Sequence, residues 1–448
     1  MSECVRAVRR AGENLSSGWV TYGKEGVCYV FSARARVVWP LWLAALTSGG
    51  SALPGRREPV AGEALPGSAV EGLGRNVNEK EKRMEHPVYN FNAGPAVLPK
   101  PVMLKAQEEF VDYHGCGYGI IEESHRAKAF DEVIQSAESN IRELMGISDD
   151  YAVLFLQGGA SLQFAMVAMN LNVPGKKVGY FDTGEWSHKA IKEAKILGLD
   201  LELLYDGSKK NFSIIEGIEN WKVDQELAYA YMCMNNTIYG TEYPTIPNTG
   251  DVPLVADISS DFMGRVVDVN KFGMLFGGAQ KNIGPAGVTV AIIRKDLAAR
   301  CPATVPTMLR YSTHIDKGSL YNTPPTFGIY MIRLVTDWLK GLGGIPAIEK
   351  MNREKAAKLY DAIDHSDGFF YGTVDPSSRS TMNVTFRIKG QNEELEKKFV
   401  AEAKANGMVG LKGHRAVGGL RASIYNAMPA EGVQTLIDFM KEFARVNG

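Results

Sequence analysis

The chain has 448 residues, with 50 Lys and Arg against 51 Asp and Glu, a formal net charge of -1. A balance so close to neutral excludes a nucleic-acid duplex or an anionic membrane surface as the main ligand, because both kinds of binding need a strong basic excess. At this length, with 45% hydrophobic residues, the chain can form two domains around more than one core.

Residues 1–86 differ in composition from the rest. The stretch "LTSGGSALPGRREPVAGEALPGSAVEGLGRN" is rich in Gly, Ser, Pro and Arg and lacks periodicity, so a disordered N-terminal extension is expected there. "VVWPLWLAAL", Val37 to Leu46, is shorter than the roughly 20 residues needed to cross a bilayer. A signal h-region, a transit peptide and a start codon placed ahead of a natural start at Met84 all stay open for this tail. Glu3, Glu13 and Glu25 fit a transit peptide poorly. Cys4, Cys28, Cys116, Cys233 and Cys301 are scattered, without the spacing of a zinc or redox motif. They read as reduced thiols in a cytoplasmic setting, with no metal.

From Tyr89 onward the pattern alternates between strand and helix. "YAVLFLQ" ends in a glycine pair and "SLQFAMVAMNL" follows as a helix. "KVGYFDTG" then precedes "SHKAIKEAKILG", where Ala190, Ile191, Ala194 and Leu197 have helical spacing. "LAYAYMCMN", "VPLVADIS" and "KFGMLFGGAQ" are apolar runs with little alternation, as expected of strands covered on both faces. "AGVTVAIIRKD" predicts a further strand closing the region. The fold class is therefore α/β, with a mostly parallel sheet whose ligands sit at the carboxyl ends of its strands.

After "YNTPPTF", the stretch "GIYMIRLVTDWLKGLGG" predicts a long helix ending in a glycine cap. "EKMNREKAAKLYDAID", "RSTMNVTFRIKG", "NEELEKKFVAEAKANG", "RASIYN" and "EGVQTLIDFMKEFARVNG" then predict helix, strand, helix, strand and helix, a smaller α+β C-terminal domain. The expected division is a large domain over 99–341 and a small one from 87–98 and 342–448.

Three strand ends carry polar groups. "LQGGAS" offers free amides at a helix start, suited to a phosphate; "VPLVAD" ends on Asp257; and "FGGAQKNIGPAG" sets Lys281 in a small-residue turn. Each alone has a bland reading, as a turn, a local cap and an ion-pair member. Together they point to pyridoxal 5'-phosphate, which needs a lysine for its Schiff base, an acid for its ring nitrogen and a phosphate anchor. Trp186, after another strand end, could cover the ring.

"NFNAGPAVLP", "ESHRAKAF", "GGASLQF", "GGAQKNIGPAGVTV", "YNTPPTF" and "LKGHRAVGGLRASIYNAMP" resemble the phosphoserine aminotransferases. These are fold-type-I pyridoxal-phosphate enzymes of aminotransferase class V, and the match runs from about Tyr89 to Gly448. The resemblance implies that Lys281 carries the cofactor, Asp257 meets the ring nitrogen, Trp186 the ring face and Thr237 the ring hydroxyl, with Gln280 beside the lysine. It also implies a phosphate seat at Ala160 and Ser161. Asn322 and Thr323 would reach the phosphate from a second subunit, hence a homodimer with shared sites. Arg421 would hold the substrate α-carboxylate and Arg126 its distal anion. His414 and Arg415 would be phosphate contacts supplied across the dimer.

Ser161 stands where many members have an arginine that helps bind the substrate phosphate. The implied reaction moves the amino group of L-glutamate to 3-phosphohydroxypyruvate, giving O-phospho-L-serine and 2-oxoglutarate. The same arginine set would admit the phosphorylated hydroxythreonine-type oxo acid of vitamin B6 synthesis. Two rivals stay open: a lyase or desulfurase on the same fold, with Cys301 as nucleophile, and a non-catalytic scaffold.

Overall fold

The computed structural model describes residues 88–448 and, ahead of them, the backbone of three strands. Those strands, Gly18–Tyr22, Cys28–Ser32 and Ala35–Leu41, pair antiparallel in sequence order as a unit by themselves. They depart from the expected extension without secondary structure, and the β-branched and aromatic content of "GWVTY" and "CYVFS" suits strands. The remainder of 1–87 lies outside the described residues, and the expectation for it lies there too.

The main sheet has seven strands: β1 Tyr151–Leu156, β2 Val178–Asp182, β3 Leu201–Asp206, β4 Ala230–Cys233, β5 Leu254–Asp257, β6 Met274–Gly278 and β7 Thr289–Arg294. Their order is β1-β7-β6-β5-β4-β2-β3. All run parallel except β7, which pairs antiparallel with both neighbours. The strand expected to close the sheet is therefore inserted between the first strand and the rest. Every residue of β1, β2, β4, β5 and β6 is buried, which is why their sequences run apolar without alternation. The edge strand β3 is half-buried, and its mixed "LELLYD" carries no such run.

Helices cover both faces. On one side lie α1 Lys100–Glu109, α2 Lys128–Met145 and, later in the chain, α5 Thr326–Gly341; on the other lie α3 Gly159–Leu171 and α4 Glu185–Ile196. In α2 the stripe Phe130, Val133, Ile134, Ala137, Ile141 and Met145 is buried, at the spacing of one helix face. Burying each such large side chain contributes about 1.5–3 kcal/mol. Among the described residues no helix is long and apolar enough to cross a membrane.

The second layer is a three-stranded antiparallel sheet, β8 Phe370–Gly372, β9 Asn383–Ile388 and β10 Leu420–Ser423, in that order. It packs with α7 Glu393–Ala405 and α8 Ala430–Asn447 around Phe370, Phe386, Phe399, Leu436 and Phe443. Phe91 joins this core, and Tyr89–Asn90 pairs parallel with Met408–Val409, so the segment before α1 belongs here. The helix α6 Gly344–Asp364 feeds both cores: Ile345 and Ile348 pack with the main sheet, Ala356, Leu359 and Ile363 with the smaller layer. The expected boundary at 341/342 thus falls at a break between helices, while α6 itself bridges the two layers.

Candidate active site

The parallel strands bring their carboxyl ends to one edge, and the candidate residues leave from there. Asp257 is the last residue of β5, in register with Cys233 at the end of β4. Trp186 lies in the first turn of α4, just after β2, and Ala160 and Ser161 open α3, just after β1. Lys281 follows β6 in the loop that reverses into β7. That loop is closed at its base where Ala279 N donates to Val288 O at 2.9 Å, so the antiparallel β7 pins the lysine-bearing turn from both ends.

The Lys281 amine donates to Thr237 Oγ1 at 2.6 Å and lies 5.3 Å from the Trp186 ring centre. Burial pushes its pKa down while the Asp257 charge pulls the other way. Asp257 is buried, and burial raises its carboxyl against the opposing pull of Lys281 and two Ser259 hydrogen bonds. Ser259 N and Oγ both donate to Asp257 Oδ1, at 2.9 and 2.6 Å. Among the described residues the second oxygen takes no hydrogen bond, so Asp257 has an acceptor to offer a ligand.

Gly94 walls the other side of the lysine. Its φ is +146°, and a Cβ there would sit 3.3 Å from Lys281 Cγ, so this position needs a residue without a side chain. Ala96 N donates to Gln280 O at 2.9 Å, which ties the same segment to the lysine loop. Trp186 is held by its helix start: Asp182 Oδ1 accepts from Ser187 Oγ at 2.8 Å, and Asn236 Nδ2 donates to Thr183 O at 2.9 Å. The indole Nε1 is buried without a partner among the described residues.

Arg421, on β10, reaches across from the smaller layer. Its Nη1 donates to Thr237 O at 3.0 Å, and its Nε is buried and, among the described residues, unpartnered. Burial lowers its pKa, opposed by the nearby Tyr425. His414 is pushed below the usual imidazole range by burial and then by Arg421 and Arg415, with Glu185 opposing. His414 therefore lies within electrostatic reach of Arg421 and Glu185 of its own chain.

The α3 start has no side-chain cap: Gly158 (φ +88°) and Gly159 (φ +66°) turn the chain, leaving the amides around Ala160 and Ser161 open. Other expected residues are not gathered here. Arg126, Arg415, Asn322 and Thr323 are exposed, and none hydrogen-bonds to Lys281 among the described residues. Asn322 borders, with Gln157 and Gly158, a cavity of about 310 Å³.

Cys301 lies at the opposite end of the sheet. It follows β7, whose Arg294 pairs with Tyr151 at the start of β1, and its Sγ meets Pro302 O at 3.7 Å. Burial raises this thiol, which makes it a poor nucleophile. The lyase or desulfurase reading fails on that placement.

An amine beside a hydroxyl, a buried acid with one oxygen to give, an indole face and uncapped amides form a donor set that fits pyridoxal 5'-phosphate. The flat Gly94 wall and the unpartnered Trp186 and Arg421 nitrogens fit it as well. The profile described as aminotransferase class-V matches residues 88–436. A phosphoserine aminotransferase of Lysinibacillus sphaericus (strain C3-41) is 52% identical over 361 residues, covering 80% of this chain and 99% of the relative. The chain belongs to the class-V aminotransferases, among the phosphoserine aminotransferases. The structure of the family member from Bacillus circulans subsp. alkalophilus superposes with a TM-score of 0.79 at 48% identity, covering 81% of this chain and 99% of that one. The pyridoxal-phosphate-bound phosphoserine aminotransferase from Trichomonas vaginalis gives 0.75 at 37% identity, covering 79% and 99%. This class-V aminotransferase has the fold-type-I architecture and uses pyridoxal 5'-phosphate. Sequence reasoning missed Gly94, Ser259 and Asn236 as parts of the site; Gly94 stands in the quoted "NFNAGPAVLP", without a role assigned.

Proposed function

We propose that the chain transfers the amino group of L-glutamate to 3-phosphohydroxypyruvate, giving O-phospho-L-serine and 2-oxoglutarate, the amino-transfer step of serine biosynthesis. The observation that carries this reading is the line Lys281, Thr237, Arg421. A lone reactive amine and a guanidinium share one residue between them, 2.6 Å from its hydroxyl and 3.0 Å from its carbonyl. The Arg421 fork takes the α-carboxylate common to both substrates. Its position relative to Thr237 sets the α-carbon near Lys281 Nζ.

When bound, pyridoxal 5'-phosphate supplies the electron sink for charge developing at the α-carbon. Lys281 would anchor it, and the same amine is placed to take the α-proton and give it back. Asp257 keeps the ring nitrogen protonated; its burial makes that interaction strong. Trp186 covers the ring and keeps water out. Gln280 flanks the lysine, Thr237 meets the ring hydroxyl, and the α3 amides with Ala160 and Ser161 hold the phosphate.

The same proposal assigns Arg126, His414 and Arg415 to the distal anion, a carboxylate in one substrate and a phosphate in the other. It makes the protein a homodimer in which Asn322 and Thr323 of a second copy complete the phosphate seat. Phe110, Val111, Tyr118 and Ile121 are exposed, 40–74% each, an apolar group that supports such a partner. The layers divide as a large domain over 99–341 and a small one from 87–98 and 342–448. Cys116, Cys233 and Cys301 are free thiols, which suits a cytoplasmic enzyme of small-molecule substrates without nucleic-acid or membrane partners.

The test is product formation from glutamate and 3-phosphohydroxypyruvate, run beside the oxo acid that leads to 4-phosphohydroxythreonine. O-Phosphoserine formation at the higher kcat/KM is the expected result. Turnover of the second oxo acid alone would move the enzyme to vitamin B6 synthesis.

A further inference from the structure

Lys355, on α6, is 4% exposed and among the described residues has no acidic partner. Its Nζ donates to three backbone carbonyls, Ile424 O at 3.1 Å, Tyr425 O at 2.8 Å and Met428 O at 3.0 Å. Burial pushes its pKa down to about 7. The carbonyls oppose this, because only the ammonium form has a proton for each of them. A buried charge satisfied entirely by one turn of backbone is an expensive way to hold a chain if position does not matter.

That turn connects β10, which carries Arg421, to α8. Five further hydrogen bonds surround it, two of them reaching the site. Asn426 N donates to Asn282 Oδ1, beside Lys281, at 2.9 Å. Tyr425 Oη donates to Ala93 O at 2.7 Å, next to Gly94, and accepts from Asn383 Nδ2 at 3.1 Å. Asn352, one helical turn before Lys355, donates to Asn426 Oδ1 at 2.8 Å and to Gly264 O at 3.0 Å.

We infer that Lys355 is a positioning residue for substrate binding: with Asn352 it holds the Ile424–Met428 turn, and through that turn sets Arg421 against Thr237 and Lys281. Lys355 touches neither substrate nor cofactor. It acts on where the guanidinium points, so its loss falls on recognition of the α-carboxylate before it falls on chemistry. This rests on the reading of Arg421 as the carboxylate anchor.

The experiment uses the holoenzyme and α-methylglutamate, which has the carboxylates of glutamate and no α-proton, with binding followed by the visible spectrum of the cofactor. Lys355→Met keeps an unbranched side chain one atom shorter and removes its donors. The expected result is about tenfold weaker binding, the effect of losing one charged hydrogen bond, together with a raised KM for glutamate, a kcat changed less, and an unaltered spectrum of the resting enzyme. Binding within twofold of the wild type, with only a lower Tm, would overturn the inference. Should Lys355→Met fail to fold, Asn352→Ala is read in the same assay against the same two outcomes. Arg421→Gln is measured alongside: if it binds as the wild type does, the reading of Arg421 falls and takes this inference with it. If Arg421→Gln is weak and Lys355→Met is not, only the inference falls.

Discussion

Thr237 joins the two charged groups of the site: its hydroxyl accepts from Lys281 Nζ at 2.6 Å and its carbonyl from Arg421 Nη1 at 3.0 Å. The two contacts are separable, since substitution removes the hydroxyl and leaves the carbonyl. Thr237→Ala should therefore lower kcat by about tenfold or more, the scale of one hydrogen bond to a charged group, while the KM for glutamate stays near the wild-type value. Steady-state kinetics check this, and a KM rise matching the fall in kcat would show that Thr237 acts on Arg421 alone.

Lys281→Ala should reduce transamination by about a thousandfold or more, the range for losing a positioned proton-transfer group. Stability should change little. The amine is already disfavoured by burial, and among the described residues it makes one hydrogen bond, to Thr237. Turnover and thermal melting of the variant are the measurements.

Behind Asp257, two carboxyls compete for one guanidinium. Arg265 lies 3.3 Å from Asp261 and 3.2 Å from Glu242. Burial, with Glu242 nearby, raises Asp261 to about 7 against the pull of Arg265. A folded-state pKa above the unfolded value means that the folded protein holds this proton between about pH 4 and pH 7, where the unfolded chain has released it. Stability from this group is thus lost as pH rises through that window. Melting of the wild type and Asp261→Asn from pH 5 to 7.5 should show the wild type losing ground to the variant as pH rises; parallel curves would contradict the assignment.

Ser161 is exposed at the uncapped start of α3, with room for a longer side chain. Ser161→Arg should lower the KM for 3-phosphohydroxypyruvate several-fold and that for glutamate less, because the more highly charged phosphate gains more from a guanidinium than the carboxylate does. Equal changes for both substrates would place the new side chain elsewhere.

Lys281 and Asp257 were legible because each ends a long apolar run, and a charge in that position stands out against its surroundings. Gly94, Ser259 and Asn236 were not, since their roles come from contacts between segments far apart in the chain. The insertion of β7 between β1 and β6 escaped for a similar reason: residue pattern reports burial on both faces but not the direction or order of strands. The edge strand β3 was missed because Glu202, in a strand that is only half-buried, breaks the apolar run that marked the others. Arg126, Asn322 and Thr323 could be named only through resemblance, as each is exposed in a single chain.

The central claim is that Lys281, Asp257 and Arg421 form one amino-transfer site, and the visible spectrum of the purified holoenzyme tests it most directly. Glutamate should bleach the cofactor band in the absence of any oxo acid, and 3-phosphohydroxypyruvate should then restore it, one half-reaction in each direction. A band that glutamate leaves unchanged would contradict the account.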